Sequence, residues 1–74
     1  MLRDKLQNAI LQVYNGAYAD AQLEVAQIRQ RLNLRFTEHE LKIALTCLIN
    51  SKCLRIELPG LLVLTNKGKK RIGL

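Results

Sequence analysis

The sequence has few of the residues from which metal and cofactor sites are built. It contains two cysteines, one histidine and no tryptophan. Five residues separate Cys47 from Cys53, a spacing that fits no common zinc motif, and His39 adds only one more ligand. We therefore expect no metal and no cofactor. The two cysteines are interpreted as reduced thiols packed as small hydrophobic residues, which favours an intracellular location.

The sequence also lacks the clusters that phosphate binding and catalysis require. Its four glycines are scattered along the chain, so no phosphate-binding loop is present. Glu38 and Glu40 flank His39, but adjacent residues of a helix point in different directions, and no nucleophile is placed to complete a triad. We therefore expect a domain that is not an enzyme and has no catalytic residues.

Long hydrophobic runs are absent as well. A membrane-spanning helix needs about 20 consecutive apolar residues, whereas the longest uncharged run, from Leu6 to Ala19, contains several amide side chains. Three charged residues follow directly after Leu2, a pattern that is not typical of a secretory signal. The sequence therefore predicts a protein that has no membrane partner.

Basic residues are abundant, and most of them lie in the second half of the chain. The formal net charge is +6, with two bases against three acids in residues 1–28 and ten bases against three acids in residues 29–74. Such an excess raises the question of nucleic-acid binding, although a solvated basic surface is the commoner explanation. The candidate basic surface consists of Arg29, Arg31, Lys52, Arg55, Lys67, Lys69, Lys70 and Arg71.

The order of hydrophobic periods predicts a single α+β domain over residues 1–74. Apolar residues spaced three and four apart indicate three helices, and alternating apolar and polar residues then indicate two strands. This order is typical of a winged helix, in which the second and third helices form a helix-turn-helix and the hairpin is the wing. We expect helices at about 2–15, 22–32 and 37–51, strands at about 53–58 and 61–65, and a basic tail at about 66–74.

Helix boundaries are indicated by capping and turn residues. Thr37 and Glu40 have the spacing of a capping box, which predicts the start of the third helix. Asn15 and Gly16 predict the end of the first helix, because glycine readily adopts the left-handed conformation that follows many helices. Asp20 is the expected N-cap of the second helix.

The wing is predicted from alternation and from one turn. Leu54, Ile56 and Leu58 are expected to share the buried face of the first wing strand. Pro59 excludes the positive φ of the primed two-residue turns, so the connection through Gly60 should include a bulge or extra residues. The tail that follows the wing is expected to form a frayed turn or a short helix.

The face that a winged helix would present to DNA is unfavourable for a polyanion. The recognition helix opens with Glu38 and Glu40, and leucines replace arginine or lysine at the wing tip. A protein-interaction domain is therefore the first hypothesis, and a small winged-helix DNA-binding transcription regulator is the alternative. The candidate partner-binding residues are Arg35, Glu38, His39, Lys42, Thr46, Leu58 and Leu61.

Several segments resemble the C-terminal winged-helix domain of the cullin family. Residues 9–15, with the sequence A-I-L-Q-V-Y-N, are similar to the A-I-V-R-I-M-K motif of that family. Residues 41–49 resemble its I-K-x-x-I-x-x-L-I helix, and the similarity extends over residues 9–56. Further similar positions are Leu23, Val25 and Leu32 in the second helix, the Arg35-Phe36 pair, and Cys53-Leu54 where cullins have Tyr-Leu.

The resemblance implies a place in a ubiquitin ligase. Cullins carry a lysine at the end of the first motif that receives a ubiquitin-like protein, but the corresponding residue here is Asn15, which cannot form the isopeptide bond. A chain without this lysine is similar to the cullin-type scaffold of the anaphase-promoting complex, a ubiquitin ligase of cell division. The resemblance then implies the C-terminal fragment of a larger scaffold in the nucleus and cytoplasm. Its partners would be a RING-finger subunit, a ubiquitin-conjugating enzyme and other ligase subunits.

Overall fold

The described part of the chain is a small α+β domain, as the sequence predicts. A computed structural model describes residues 2–74, with the backbone alone described at Leu2, Arg3 and Ala17. The side chain of Leu2, predicted to lie on the apolar face of the first helix, is therefore outside the described residues. The elements are α1 (Leu2–Val13), a 3₁₀ turn (Gly16–Tyr18), β1 (Leu23–Glu24), α2 (Val25–Arg31), α3 (Glu38–Asn50), β2 (Leu54–Leu58), β3 (Leu61–Leu64) and α4 (Asn66–Arg71).

Helix α1 packs its apolar face against α3 and forms one side of the core. Leu6, Ile10 and Leu11 are buried, and so is Tyr14 immediately after the helix. The helix ends at Val13 rather than at the predicted residue 15. Its last turn is tightened, because the backbone N–H groups that follow Val13 donate to carbonyls three residues back. Gly16 then has a φ of +74°, which confirms its predicted role in ending the helix.

The start of the second helix is where the sequence-based prediction is wrong. Leu23 and Glu24 form β1, which pairs with β3, and α2 begins only at Val25. Asp20 is therefore not the N-cap. The backbone N–H of Glu24 instead donates to the side-chain oxygen of Gln27 at 2.8 Å. The strand forms because Leu23 lies opposite a buried residue of β3 and is itself buried there.

Helix α3 runs through the centre of the core. Thr37 is its N-cap, and the predicted capping box is confirmed: the Thr37 hydroxyl accepts from the Glu40 N–H at 3.0 Å, and the Glu40 carboxylate accepts from the Thr37 N–H at 2.8 Å. The predicted end at about residue 51 is also close to the observed one. The buried stripe of the helix consists of Leu41, Ala44, Leu45 and Leu48.

The three strands form one antiparallel sheet in the order β1-β3-β2. The β2–β3 pairing is irregular between Ile56 and Leu58, and Pro59 and Gly60 (φ +83°) form the connection, so of the two predicted alternatives the bulge is observed and extra residues are not. The prediction that Ile56 and Leu58 lie on a buried face is wrong, since each is 55% exposed. Leu54 is the buried residue of β2, and the four residues that follow it in the strand are exposed.

The basic tail folds back as helix α4 and closes the core. Thr65 is its N-cap and accepts from the Gly68 N–H at 3.1 Å. Gly68 is buried directly against the backbone carbonyl of Cys53, and Ile72 packs on the edge of the core. Of the two expected conformations of the tail, the short helix is therefore the one observed.

Candidate functional site

Three of the predicted partner-binding residues lie together on the outer side of α3. His39, Lys42 and Thr46 are spaced three and four residues apart, which places them on one side of a helix. They line a depression of about 280 Å³ together with Ile43 and Cys47. Sequence reasoning missed Ile43, which is 37% exposed on this side, although its offset from the buried stripe is a signal that could have identified it.

Both carboxylates at the start of α3 already have hydrogen-bond donors within the chain. The Glu38 carboxylate accepts from the Arg29 guanidinium of α2 at 2.7 Å. The Glu40 carboxylate accepts from the Thr37 N–H within the capping box. Acidic groups in the first turn also complement the partial positive charge of the helix N-terminus. These two acids therefore stabilise the start of α3 and its contact with α2, and Arg29 does not belong to a free basic surface.

The remaining predicted partner-binding residues are separate from this depression. Arg35 is exposed in the connection between α2 and α3. Leu58 is exposed at the end of β2, whereas Leu61 is half-buried at the start of β3, opposite Glu24 of β1. The depressions along α3 contain no residue of the β2–β3 hairpin. Apart from Arg35, the structure therefore divides the predicted residues between two surfaces, the outer side of α3 and the β2–β3 hairpin.

The β2–β3 hairpin exposes more apolar surface than its sequence suggests. Ile56 and Leu58 project from β2 beyond the core, and β2 is an edge strand of the sheet. Between them, Glu57 accepts from the Arg55 guanidinium at 2.6 Å. Sequence reasoning assigned Ile56 to the core because alternation identifies which residues share a face but not whether anything covers that face.

The predicted basic residues do not form one continuous patch. The Lys69 ammonium contacts the Asp20 carboxylate at 2.8 Å, and Arg71 donates to the side-chain oxygen of Gln7 at 3.4 Å. Arg31 lies over the ring of Tyr18, 4.8 Å from its centroid. Much of the basic tail therefore holds α4 against the rest of the domain. Lys67 and Lys70 are exposed on α4, and Lys52 is exposed at the turn after α3.

Titratable and nucleophilic groups of the described residues are dispersed. No group of three His, Cys, Asp or Glu side chains among them is arranged to hold a metal ion. Both cysteines are free; Cys53 is buried as predicted, whereas Cys47 is only half-buried beside the α3 depression. Burial raises the pKa of the Tyr14 phenol, whose O–H donates to the Leu62 carbonyl at 2.9 Å. Tyr14 is therefore a structural residue that links α1 to the sheet.

The position that corresponds to the cullin modification lysine lies at an exposed turn. Asn15 follows α1, and its side-chain amide donates to the side-chain oxygen of Gln12 at 3.2 Å.

None of the helices described here is long and apolar enough to span a membrane. No family model, curated protein or solved structure matches this chain.

Proposed function

We propose that the domain is a winged helix that binds another macromolecule and performs no chemistry of its own. Support for the winged helix comes from the order of the elements. Helices α2 and α3 follow each other as in a helix-turn-helix, and the β2–β3 hairpin follows directly as the wing. Strand β1 adds to this hairpin on the side of β3.

We propose that the partner is a protein and that it contacts the wing. The observation that carries this proposal is the exposure of Ile56 and Leu58, each 55% exposed on an edge strand. Exposed apolar residues on a sheet edge favour association, and natural proteins normally cover or charge such edges. A leucine at the wing tip would also contribute little to phosphate contacts, which are made by Arg, Lys and polar groups.

The resemblance to cullins extends the proposal to a particular class of assembly. In this proposal the domain belongs to a scaffold of a multisubunit ubiquitin ligase similar to the anaphase-promoting complex. It would help to position the RING-finger subunit and the ubiquitin-conjugating enzyme. The exposed turn at Asn15 is compatible with this role, because an amide side chain there leaves the scaffold unmodified.

Calorimetric titration of the domain with RING-finger subunits and ubiquitin-conjugating enzymes from the same genome tests this proposal. We expect wild-type binding and a loss of at least about tenfold in affinity for Leu58→Asp, because a carboxylate would have to be desolvated in the contact. Lys67→Glu on α4 is the control for a change of surface charge. Absence of binding to any of these proteins at about 100 µM would contradict the scaffold assignment.

DNA binding is the second candidate, and one structural observation favours it. The charge of Glu38 is offset by Arg29, and the Glu40 carboxylate is held in the capping box at the positive end of the helix, so both repel a phosphate less than free carboxylates would. The side of α3 that remains available carries His39, Lys42 and Thr46. A recognition helix with these residues could contact phosphates and base edges in a major groove.

Titration against duplex DNA at several salt concentrations distinguishes the two candidates. Submicromolar binding with sequence preference at physiological salt would support the regulator and contradict the scaffold. Weak binding that falls steeply with salt would leave the scaffold proposal standing. If α3 enters the groove, Lys42→Ala should weaken binding, whereas Lys70→Ala on α4 should have a smaller effect.

A further inference from the structure

The outer edge of β2 is open in the described part of the chain. The sheet order β1-β3-β2 gives β2 a neighbour on one side, and among residues 2–74 no other backbone hydrogen bond reaches residues 54–58. The Cys53 carbonyl accepts from the Thr65 N–H at 3.1 Å, which fixes the alternation of the β2–β3 pair. The peptide groups of Leu54 and Ile56 therefore point away from β3 and can pair with another strand.

The sequence of β2 is self-complementary when a second copy runs antiparallel to it. Residues 54–58 read Leu-Arg-Ile-Glu-Leu, with opposite charges on either side of Ile56. If Ile56 lies opposite Ile56 of the second copy, each Arg55 faces a Glu57 and each Glu57 faces an Arg55. Moving the two-fold axis by one residue, from Ile56 to Arg55 or to Glu57, would place Arg opposite Arg or Glu opposite Glu, and in-register parallel pairing would do both. Like charges directly opposite each other destabilise a sheet, so the charges select one register.

The same register brings one exposed apolar residue of each copy together. Ile56 of one copy would lie directly opposite Ile56 of the other, whereas Leu58, beyond the bulge, pairs with Leu61 of its own β3. A groove of about 260 Å³ is present there and is lined by Ile49, Lys52, Leu54, Arg55, Ile56 and Thr65. The Ile56 side chain, which is isolated from the core in one copy, would thus be covered by the other. The arrangement is two-fold symmetric and closed, as stable homodimer interfaces are.

We infer that the edge of β2 is a homodimer interface, in which two copies join their sheets antiparallel about Ile56. This inference rests on the proposed function only in that the wing is a docking surface, and it names the occupant of that surface as a second copy. Arg55 and Glu57 pair within one strand at 2.6 Å, and in the dimer they also pair across the two-fold axis. In the monomer these charges oppose unspecific pairing of the open edge, and in the dimer they determine which strand pairs with it.

The test uses charge-reversed variants and sedimentation over about 1 µM to about 1 mM protein. Wild type should show a concentration-dependent dimer. Arg55→Glu and Glu57→Arg should each raise the dissociation constant at least about tenfold, because each places like charges opposite each other. The double variant Arg55→Glu/Glu57→Arg should dimerise again. Lys67→Glu, with the same change in net charge away from the strand, should behave as wild type.

An equimolar mixture of the two single variants is the decisive measurement. Each single variant loses the pairing of residues 55 and 57 within its own strand, so only pairing between the copies can restore association. The mixture should form a heterodimer, and the Ile56 amide should become protected from hydrogen exchange. Far-ultraviolet circular dichroism of each variant verifies that the fold is retained.

Three results would overturn the inference: a wild type that stays monomeric at about 1 mM, single variants that dimerise as wild type does, or a mixture that remains monomeric. A monomer whose Leu58→Asp variant still loses affinity for a ligase subunit would assign the edge to a segment of that subunit, and the proposed function would stand. A dimer that binds no ligase subunit would retain this inference and contradict the scaffold.

Discussion

Gly68 is the residue whose size is most strictly limited by its surroundings. It lies in α4, where a Cβ atom would overlap the Cys53 carbonyl oxygen and would approach Cδ1 of Leu64 to 2.6 Å. The obstruction is mainly backbone, which cannot rotate away as a side-chain end could. In sequence Gly68 is only an interruption in a basic run. Its role arises from the close approach of α4 to the start of β2.

Gly68→Ala should lower the free energy of unfolding by at least about 2 kcal/mol, because α4 must move away from the sheet to admit the methyl group. Urea denaturation followed by circular dichroism measures this loss. Gly73→Ala is the matched control, since Gly73 has a φ of +82° and open space around it. Its substitution should cost only the backbone strain of about 1 kcal/mol. Equal losses at the two positions would contradict the close approach.

Lys52 is a non-glycine residue in a backbone conformation that favours glycine. Its φ is +69°, and it follows α3 in the position where a helix is commonly closed by two backbone bonds. Both bonds are present, from Lys52 to Ile49 at 3.1 Å and from Cys53 to Leu48 at 2.9 Å. A lysine in this position carries the steric cost of a left-handed backbone. The two hydrogen bonds hold it in that conformation and turn the chain into β2.

Lys52→Gly should therefore raise the free energy of unfolding by about 1 kcal/mol, in spite of the greater flexibility of glycine in the unfolded chain. The midpoint of thermal unfolding is a sufficient measurement. Lys52→Ala removes the same charge but keeps a Cβ, so it should produce no comparable gain. A gain of equal size for alanine would assign the effect to charge rather than to backbone conformation.

At the scale of elements, α3 is the best-defined part of the domain. Its start has reciprocal hydrogen bonds between Thr37 and Glu40, and a second acid, Glu38, ties it to Arg29 of α2. Buried residues on one side hold it in the core, while His39 and Lys42 remain on the outside. The helix that carries a candidate binding surface is thus positioned by local caps and by packing together.

Thr37→Ala should destabilise the domain by about 1 kcal/mol, since the Glu40 N–H loses its side-chain acceptor. Chemical denaturation would show this as a lower midpoint with an unchanged slope. Thr46→Ala is the internal control. Its hydroxyl donates to the Lys42 carbonyl at 2.9 Å on the exposed side of the same helix, so its removal should be nearly neutral or slightly stabilising. The cap assignment fails if the two variants are equally stable.

For the whole molecule, Tyr14 is the link between the helices and the sheet. It is fully buried at the end of α1, and its hydroxyl reaches across 48 residues of sequence to the Leu62 carbonyl in the central strand. Burial raises the pKa of this phenol, because an anion there would lose its hydration. The folded state therefore requires the protonated form.

This requirement makes the stability of the domain fall at alkaline pH. The phenol ionises at about pH 10 in the unfolded chain, whereas in the folded chain it keeps its proton to higher pH. Above about pH 10 the folded state therefore binds more protons than the unfolded state, and the free energy of unfolding decreases as pH rises. Tyr14→Phe should cost about 1 kcal/mol at neutral pH and reduce the alkaline decline. An unchanged decline would assign it to other groups.

Features with local causes were predictable from the sequence. The capping box at Thr37, the helix stop at Gly16 and the irregular turn at Pro59 depend on residues a few positions apart, and the structure has all three. The spacing of His39, Lys42 and Thr46 likewise implied one helix side. Strand β1 was missed because two residues carry too little pattern, and they become a strand only where β3 lies beside them.

The sequence by itself determined the α+β class, the start of α3, the bulged connection of the hairpin and the excess of positive charge. Only the tertiary structure decided that Ile56 is exposed, that Glu38 is paired with Arg29, and that Lys69 contacts Asp20 across 49 residues. The physical reason is one of range. Caps and turns act over a few residues of one segment. Burial and charge pairing depend on which distant surfaces come into contact. Among the described residues, those contacts leave the outer edge of β2 open.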